Sequence, residues 1–176
     1  MIVYFLRHAN AGQKRMNPIQ DEKRPLDKEG IEQCRYVGRL LYSMDAHVDL
    51  ILSSPLKRAT QSASMVGNEI AYELKIETTP ALRPGAGYEA FRDLLHKVGE
   101  LESVMVVGHN PNLSRFLSLL VTGGLSNAAI EMKKGSVARV EVGSKRSVLN
   151  WMVTPRLIKS AYNSVQVSSR PKTSKK

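Results

Sequence analysis

The stretch "IVYFLRHANAG", residues 2–12, opens with five consecutive apolar or aromatic residues and then breaks at Arg7 and His8. A run rich in β-branched and aromatic members is what a strand covered on both faces requires, and such strands belong to parallel sheets flanked by helices. The stretch therefore predicts a central strand over residues 2–7. It also poses a question, because a buried strand that ends in Arg-His has either met solvent or delivered two functional side chains.

The following residues repeat the theme. After a long polar loop, Asp27 can cap a helix whose apolar positions Ile31, Cys34, Val37, Leu40 and Leu41 recur at helical spacing. A second strand is expected over 47–54, handing over to a helix with Ser54 as its cap and Pro55 in its first position. A third strand is expected at 73–78 and a helix over 89–98. "SVMVVGHN" reads as a fourth strand ending in His109 and Asn110, with Pro111 opening another helix. Two alternating segments around "GSKRS" read as a closing antiparallel hairpin. The pattern predicts an α/β fold: a three-layer sandwich with a mainly parallel central sheet, an added antiparallel edge and helices on both faces.

At 176 residues the chain has the length of one domain, and 42% hydrophobic with 24% charged residues is a globular composition. Its single cysteine, Cys34, and the lack of an apolar stretch suited to a signal or a membrane span point to a cytoplasmic protein. The net charge of +10 suggests phosphorylated or other anionic partners. Its distribution is uneven: residues 1–154 hold twenty cations against sixteen acids, a net +4, whereas the segment from Pro155 onward has six cations and no acid. Residues 161–176 are accordingly expected to form a basic, flexible tail behind a domain of residues 1–160, and neither nucleic acid nor membrane is expected as a partner.

In open α/β sheets ligands bind beyond the carboxyl ends of the strands. "LRH" (6–8), "SSPLKR" (53–58) and "GHN" (108–110) should converge there. The glycine-rich nucleotide loops are absent from the strand ends, Cys34 has Leu40 rather than an arginine six residues on, and no metal-ligand spacing occurs, so neither cofactor nor metal is called for. Two arginines and two histidines remain. Neutral imidazole is a competent nucleophile near pH 7, so His8 can accept a phosphoryl group. Arg7 and Arg58 offer planar forks for its oxygens, His109 adds a donor if protonated, and the helix starts after Ser54 and Asn110 offer backbone N–H groups. His47 and His96 read as surface residues, and Trp151 and the methionines as core or core-edge.

With "LRHA", "SSPLKRATQSA" and "VGHNP" in this order, the chain resembles the histidine phosphatase (phosphoglycerate mutase-like) superfamily, and "RPLDKEG" at 24–30 with the short length resembles its SixA-type phosphohistidine phosphatases. The resemblance spans roughly residues 1–155. It implies a phosphorylated nucleophile at His8 and a phosphate pocket completed by Arg7, Arg58 and His109, with Asn10, Arg24, Ser54 and Asn110 as further candidates. Ala9 and Asn10 depart from the glycine and acid usual in the superfamily. Larger relatives also carry a glutamate acid in the loop after the third strand; here Glu89 is the nearby carboxylate and the candidate general acid.

A weak acid position favours a leaving group that departs easily. Imidazole is protonated near neutrality, whereas an alkoxide needs a proton from the enzyme. The expected function is metal-independent hydrolysis of phosphohistidine on a protein, an activity suited to signal transduction, carried by a monomer. The alternatives are a phosphatase or mutase for a small phosphate ester, and a non-catalytic phosphoprotein-binding module.

Overall fold

Successive residues of strand β1 (Ile2–Arg7) enter two different cores, as a strand covered on both faces must. The computed structural model describes residues 1–124 and 129–168. After β1 come helices α1 (Pro18–Glu22) and α2 (Lys28–Ser43), β2 (Leu50–Ser53), α3 (Lys57–Glu69), β3 (Glu77–Thr78), a 3-10 turn (Pro80–Leu82) and α4 (Tyr88–Lys97). Then follow β4 (Ser103–Gly108), α5 (Asn112–Thr122), β5 (Val137–Val142), β6 (Ser147–Val153) and α6 (Pro155–Ser168).

The sheet has the order β3-β2-β4-β1-β5-β6. The first four strands in that order run parallel, and β5 and β6 are antiparallel additions at one edge, which is the expected architecture. Tyr4 and Leu6 pack with Cys34, Val37 and Leu41 of α2, Ala59, Ala63 and Val66 of α3, and Ile158 of α6. Val3 and Phe5 pack on the other side with Phe91 and Leu95 of α4 and Leu113, Phe116 and Leu117 of α5. Phe91 and Phe116 stack at 4.8 Å between ring centroids, which locks α4 to α5.

Asp27 caps α2 as expected, its carboxylate accepting from the Gly30 N–H at 2.8 Å. Four expectations are corrected. The helix expected at Pro55 starts at Lys57, with Leu56 in the cap position and without a side-chain cap, because the Ser54 hydroxyl is committed elsewhere. The strand expected over 73–78 is only Glu77–Thr78, both exposed at the sheet edge. The long polar loop contains α1, opened by Asn17, whose side chain accepts from the Ile19 and Gln20 N–H groups. Finally, α6 carries regular structure past residue 160 to Ser168: Ile158 is buried against α2 and Tyr162 packs on Tyr36, so this part of the expected tail belongs to the domain. The rest of that tail, 169–176, lies outside the described residues.

Candidate active site

The carboxyl ends of β1, β2 and β4 open into a cavity of about 560 Å³. β1 and β4 are neighbours, with Arg7 opposite Gly108 in register and the His8 N–H donating to the Gly108 carbonyl at 3.0 Å. Their next residues, His8 and His109, therefore stand side by side. The ring centroids are 4.9 Å apart, the spacing of adjacent strands.

His8 is buried, and its Nδ1 lies 2.8 Å from the Ala9 carbonyl oxygen. Only a protonated nitrogen satisfies a carbonyl, so the proton of the neutral ring is assigned to Nδ1 and the lone pair is on Nε2. Burial, together with the charges of Arg58, Arg7 and Arg24, outweighs the Ala9 hydrogen bond and pushes the His8 pKa down to about 3. The imidazole is thus neutral and nucleophilic at any ordinary pH.

His109 is lowered further, to about 2, first by burial and then by His8 and the same three arginines. A ring kept neutral in this way does not meet the condition, protonation, under which the sequence made it a cationic donor. It donates instead through its tautomer. Its Nε2 lies 2.8 Å from the buried Ser54 Oγ, which also accepts weakly from the Leu56 N–H and has no other acceptor for its own proton among the described residues, so that proton is assigned to the contact with Nε2. The ring proton then sits on Nδ1, a buried atom with no hydrogen-bond acceptor among the described residues.

Arg58 is buried in the first turn of α3. One guanidinium nitrogen donates to the Asp21 carbonyl at 2.9 Å and reaches its carboxylate at 3.4 Å, while Nε has no acceptor among the described residues. Asp21 also receives Arg24 Nε at 2.8 Å and the Arg15 N–H at 2.9 Å. Burial raises its pKa, but these bonds and the charges of Arg24 and Arg58 prevail and hold it at about 2. Arg24 is further fixed by the Ala11 carbonyl at 2.6 Å. The Ala9 N–H donates to Ser62 Oγ, and that hydroxyl donates to the Arg58 carbonyl, which ties the His8 loop to α3.

His8, Arg24, Arg58, His109 and Asn110 line the cavity. Arg7 stands beside it rather than in its wall. Its guanidinium donates to the Met132 carbonyl at 2.7 Å, its Nε has no acceptor among the described residues, and its charge acts on both histidines. Ser54 acts from behind His109. Asn10 is outside the wall because its side chain bridges Glu29 and Lys134. Glu89, the candidate acid, is exposed on α4, pairs with Arg92 and does not line the cavity. The carboxylates that do line it are Asp21 and Glu22, the latter paired with Arg83.

Asp21, Glu22, Arg83 and Ser62 were not foreseen as part of the site. The available signal was "NP" at 17–18, a cap residue followed by proline, which marks a helix start. Among the described residues no three His, Cys, Asp or Glu side chains cluster as metal ligands would, and no helix is long and apolar enough to cross a membrane. The arrangement can hold a tetrahedral oxyanion: the guanidiniums of Arg24 and Arg58 and the His109 ring line the cavity with a neutral imidazole that keeps a free lone pair, and the charge of Arg7 acts from outside the wall.

A family model described as the histidine phosphatase superfamily (branch 1) matches residues 3–84. The chain is similar to phosphohistidine phosphatase SixA of Escherichia coli (strain K12), 26% identical over 164 residues, covering 92% of this chain and 98% of that protein. Among solved structures it resembles protein histidine phosphatase SixA complexed with tungstate, with a TM-score of 0.80 and 23% identity over 90% of this chain and 99% of that one. A putative alpha-ribazole-5'-P phosphatase from Escherichia coli has a TM-score of 0.66 and 17% identity, covering 88% of this chain and 98% of that chain.

Proposed function

Because the chain belongs to the histidine phosphatase superfamily, we propose that it hydrolyses phosphohistidine on a protein substrate through a phosphoenzyme formed at His8. His8 Nε2 attacks phosphorus as the P–N bond to the substrate imidazole breaks, and that imidazole leaves with a proton from solvent. Water then attacks the phosphoenzyme, its P–N bond breaks, and inorganic phosphate and neutral His8 are restored. Arg7, Arg58 and the Nδ1–H of His109 carry the oxygens through both steps, where most of the catalytic work of phosphoryl transfer lies. Arg24 and Asn110 complete the wall.

One observation carries the choice of substrate. Both carboxylates on the cavity wall are engaged by guanidinium groups, and Asp21 is held ionised far below neutrality. A carboxylate in that state has no proton for an alkoxide, so the leaving group has to depart with little help. A protonatable imidazole does. We place the activity in the cytoplasm, on a monomer, since one chain supplies every group the reaction uses.

Rapid quench with a labelled phosphohistidine peptide tests the reading. The wild-type protein should trap an acid-labile, alkali-stable phosphoenzyme. In His8→Ala it should vanish, with turnover lower by roughly three decades or more. Turnover surviving in His8→Ala would end the mechanism. Efficient cleavage of a sugar phosphate with no cleavage of phosphohistidine would overturn the substrate while sparing the nucleophile.

A further inference from the structure

Charge is left over at the mouth of the cavity once the reaction has been served. Six side chains around it are cationic (Lys14, Arg15, Arg24, Arg58, Arg83 and Lys134) and two are anionic. Asp21 engages Arg24 and Arg58, Glu22 pairs with Arg83, and Lys134 is tethered to the Asn10 side-chain oxygen at 2.7 Å. A phosphoryl group brings roughly two negative charges, which the guanidiniums at the floor receive. Lys14 and Arg15 remain. They are consecutive and exposed, and among the described residues their side chains have no ion-pair partner.

Their loop is a fixed platform. The Arg15 N–H is held by the Asp21 carboxylate, and Asn17 caps α1 immediately after it. Met16, expected in or near the core, is instead fully exposed at the cavity, and Ile19 on α1 is 69% exposed. Two like charges followed by two apolar side chains gain nothing from one another in solvent. All four gain from a protein surface that offers carboxylates interleaved with apolar groups.

The geometry points to a docking surface for an acidic protein segment that flanks the phosphohistidine, with Lys14 and Arg15 receiving its carboxylates and Met16 and Ile19 its apolar side chains. This rests on the phosphohistidine reading above. A substrate helix places residues three and four positions from its phosphohistidine on the same face, so acids there would meet the two cations. The surface fits other polyanions poorly. Recognition of anionic lipid draws on clusters of roughly four to eight cations, and non-specific nucleic-acid binding with two neutralised phosphates is weak at physiological salt.

Three substrates test it: free phosphohistidine, and two phosphohistidine peptides identical except for Glu or Gln at the positions three and four residues to either side. In the wild-type protein at low salt, kcat/KM for the Glu peptide should exceed that for the Gln peptide by roughly tenfold, the gain shrinking toward unity at high salt. In Lys14→Gln/Arg15→Gln the ratio should fall close to one. Because both peptides share one chemical step, the ratio cancels any effect of the variant on that step. Equal use of the peptides by the wild type, or a preference that survives in the variant, would overturn the docking surface. So would absence of a preference together with sedimentation on phosphatidylserine vesicles that the double variant loses, which would assign the cations to lipid. Failure to cleave all three substrates would instead overturn the function on which the inference rests.

Discussion

Ser54 decides what His109 can be. With the hydroxyl donating to Nε2, a ring too buried to be charged keeps an N–H at Nδ1, which the proposed mechanism directs at phosphate oxygens. Ser54→Ala should release Nε2 to carry the proton and turn Nδ1 into an acceptor facing phosphate oxygens. We expect kcat to fall roughly 10- to 100-fold and stability to fall by about 1 kcal/mol. Ser54→Thr, which keeps the hydroxyl, should recover most of the activity. Nitrogen chemical shifts of the His109 ring give the direct readout. Full turnover in Ser54→Ala with the proton still on Nδ1 would show that the pairing is only structural.

At the scale of elements, the start of α2 is pressed against the loop that follows His8. A Cβ on Gly30 would lie 1.9 Å from the Asn10 carbonyl oxygen, and a Cβ on Gly38 would lie 2.4 Å from the Glu69 Cβ in α3. Either Gly→Ala change should destabilise the fold by a few kcal/mol, because the overlap exceeds the helix-propensity gain of about 1 kcal/mol. Only Gly30→Ala displaces the His8 loop. At a temperature where circular dichroism shows both variants folded, Gly30→Ala should lose at least tenfold in kcat while Gly38→Ala stays near wild type. Equal losses would mean that the contact does not position the nucleophile. The same scale shows what sequence could reveal. The ends of β1 and β4 were legible because parallel strands buried on both faces are unbroken apolar runs, and their last residues are fixed by the sheet. α1 was not, since five residues carry no readable period, and its Asp21 acquires its role only by meeting Arg58, 37 positions away. Glu89 had the right residue type near the right loop, yet α4 presents it to solvent. The end of α6 was hidden by a serine-rich composition, whereas Ile158 and Tyr162 carry its packing.

For the whole molecule, the site has a cost in acid. In the unfolded chain both histidines titrate near 6.5, whereas folded His8 and His109 resist protonation down to about 3 and about 2. Between those limits the unfolded state binds more protons, so stability rises with pH and is lost as pH falls below about 6.5. Asp21, depressed to about 2, contributes stability that is present above about 4 and is lost as pH falls through its folded value. Urea unfolding at pH 7, 6 and 5 should therefore show a declining free energy whose slope approaches roughly two protons near pH 5. His8→Asn/His109→Asn should flatten that slope. An unchanged slope would show that the two rings are not the source.

The pairing of β1 with β4 makes the distance between the proposed nucleophile and the proposed donor a property of the peptide lattice. Side chains brought together by packing drift when the packing is revised, but two residues that terminate adjacent hydrogen-bonded strands keep the interval of the ladder. Helices on either face can then exchange nearly all of their surface and core residues while the reaction keeps its ruler. A chemistry gauged in this way can be inherited through deep divergence of sequence, and the room for change lies in the loops that decide which phosphorylated surface is admitted.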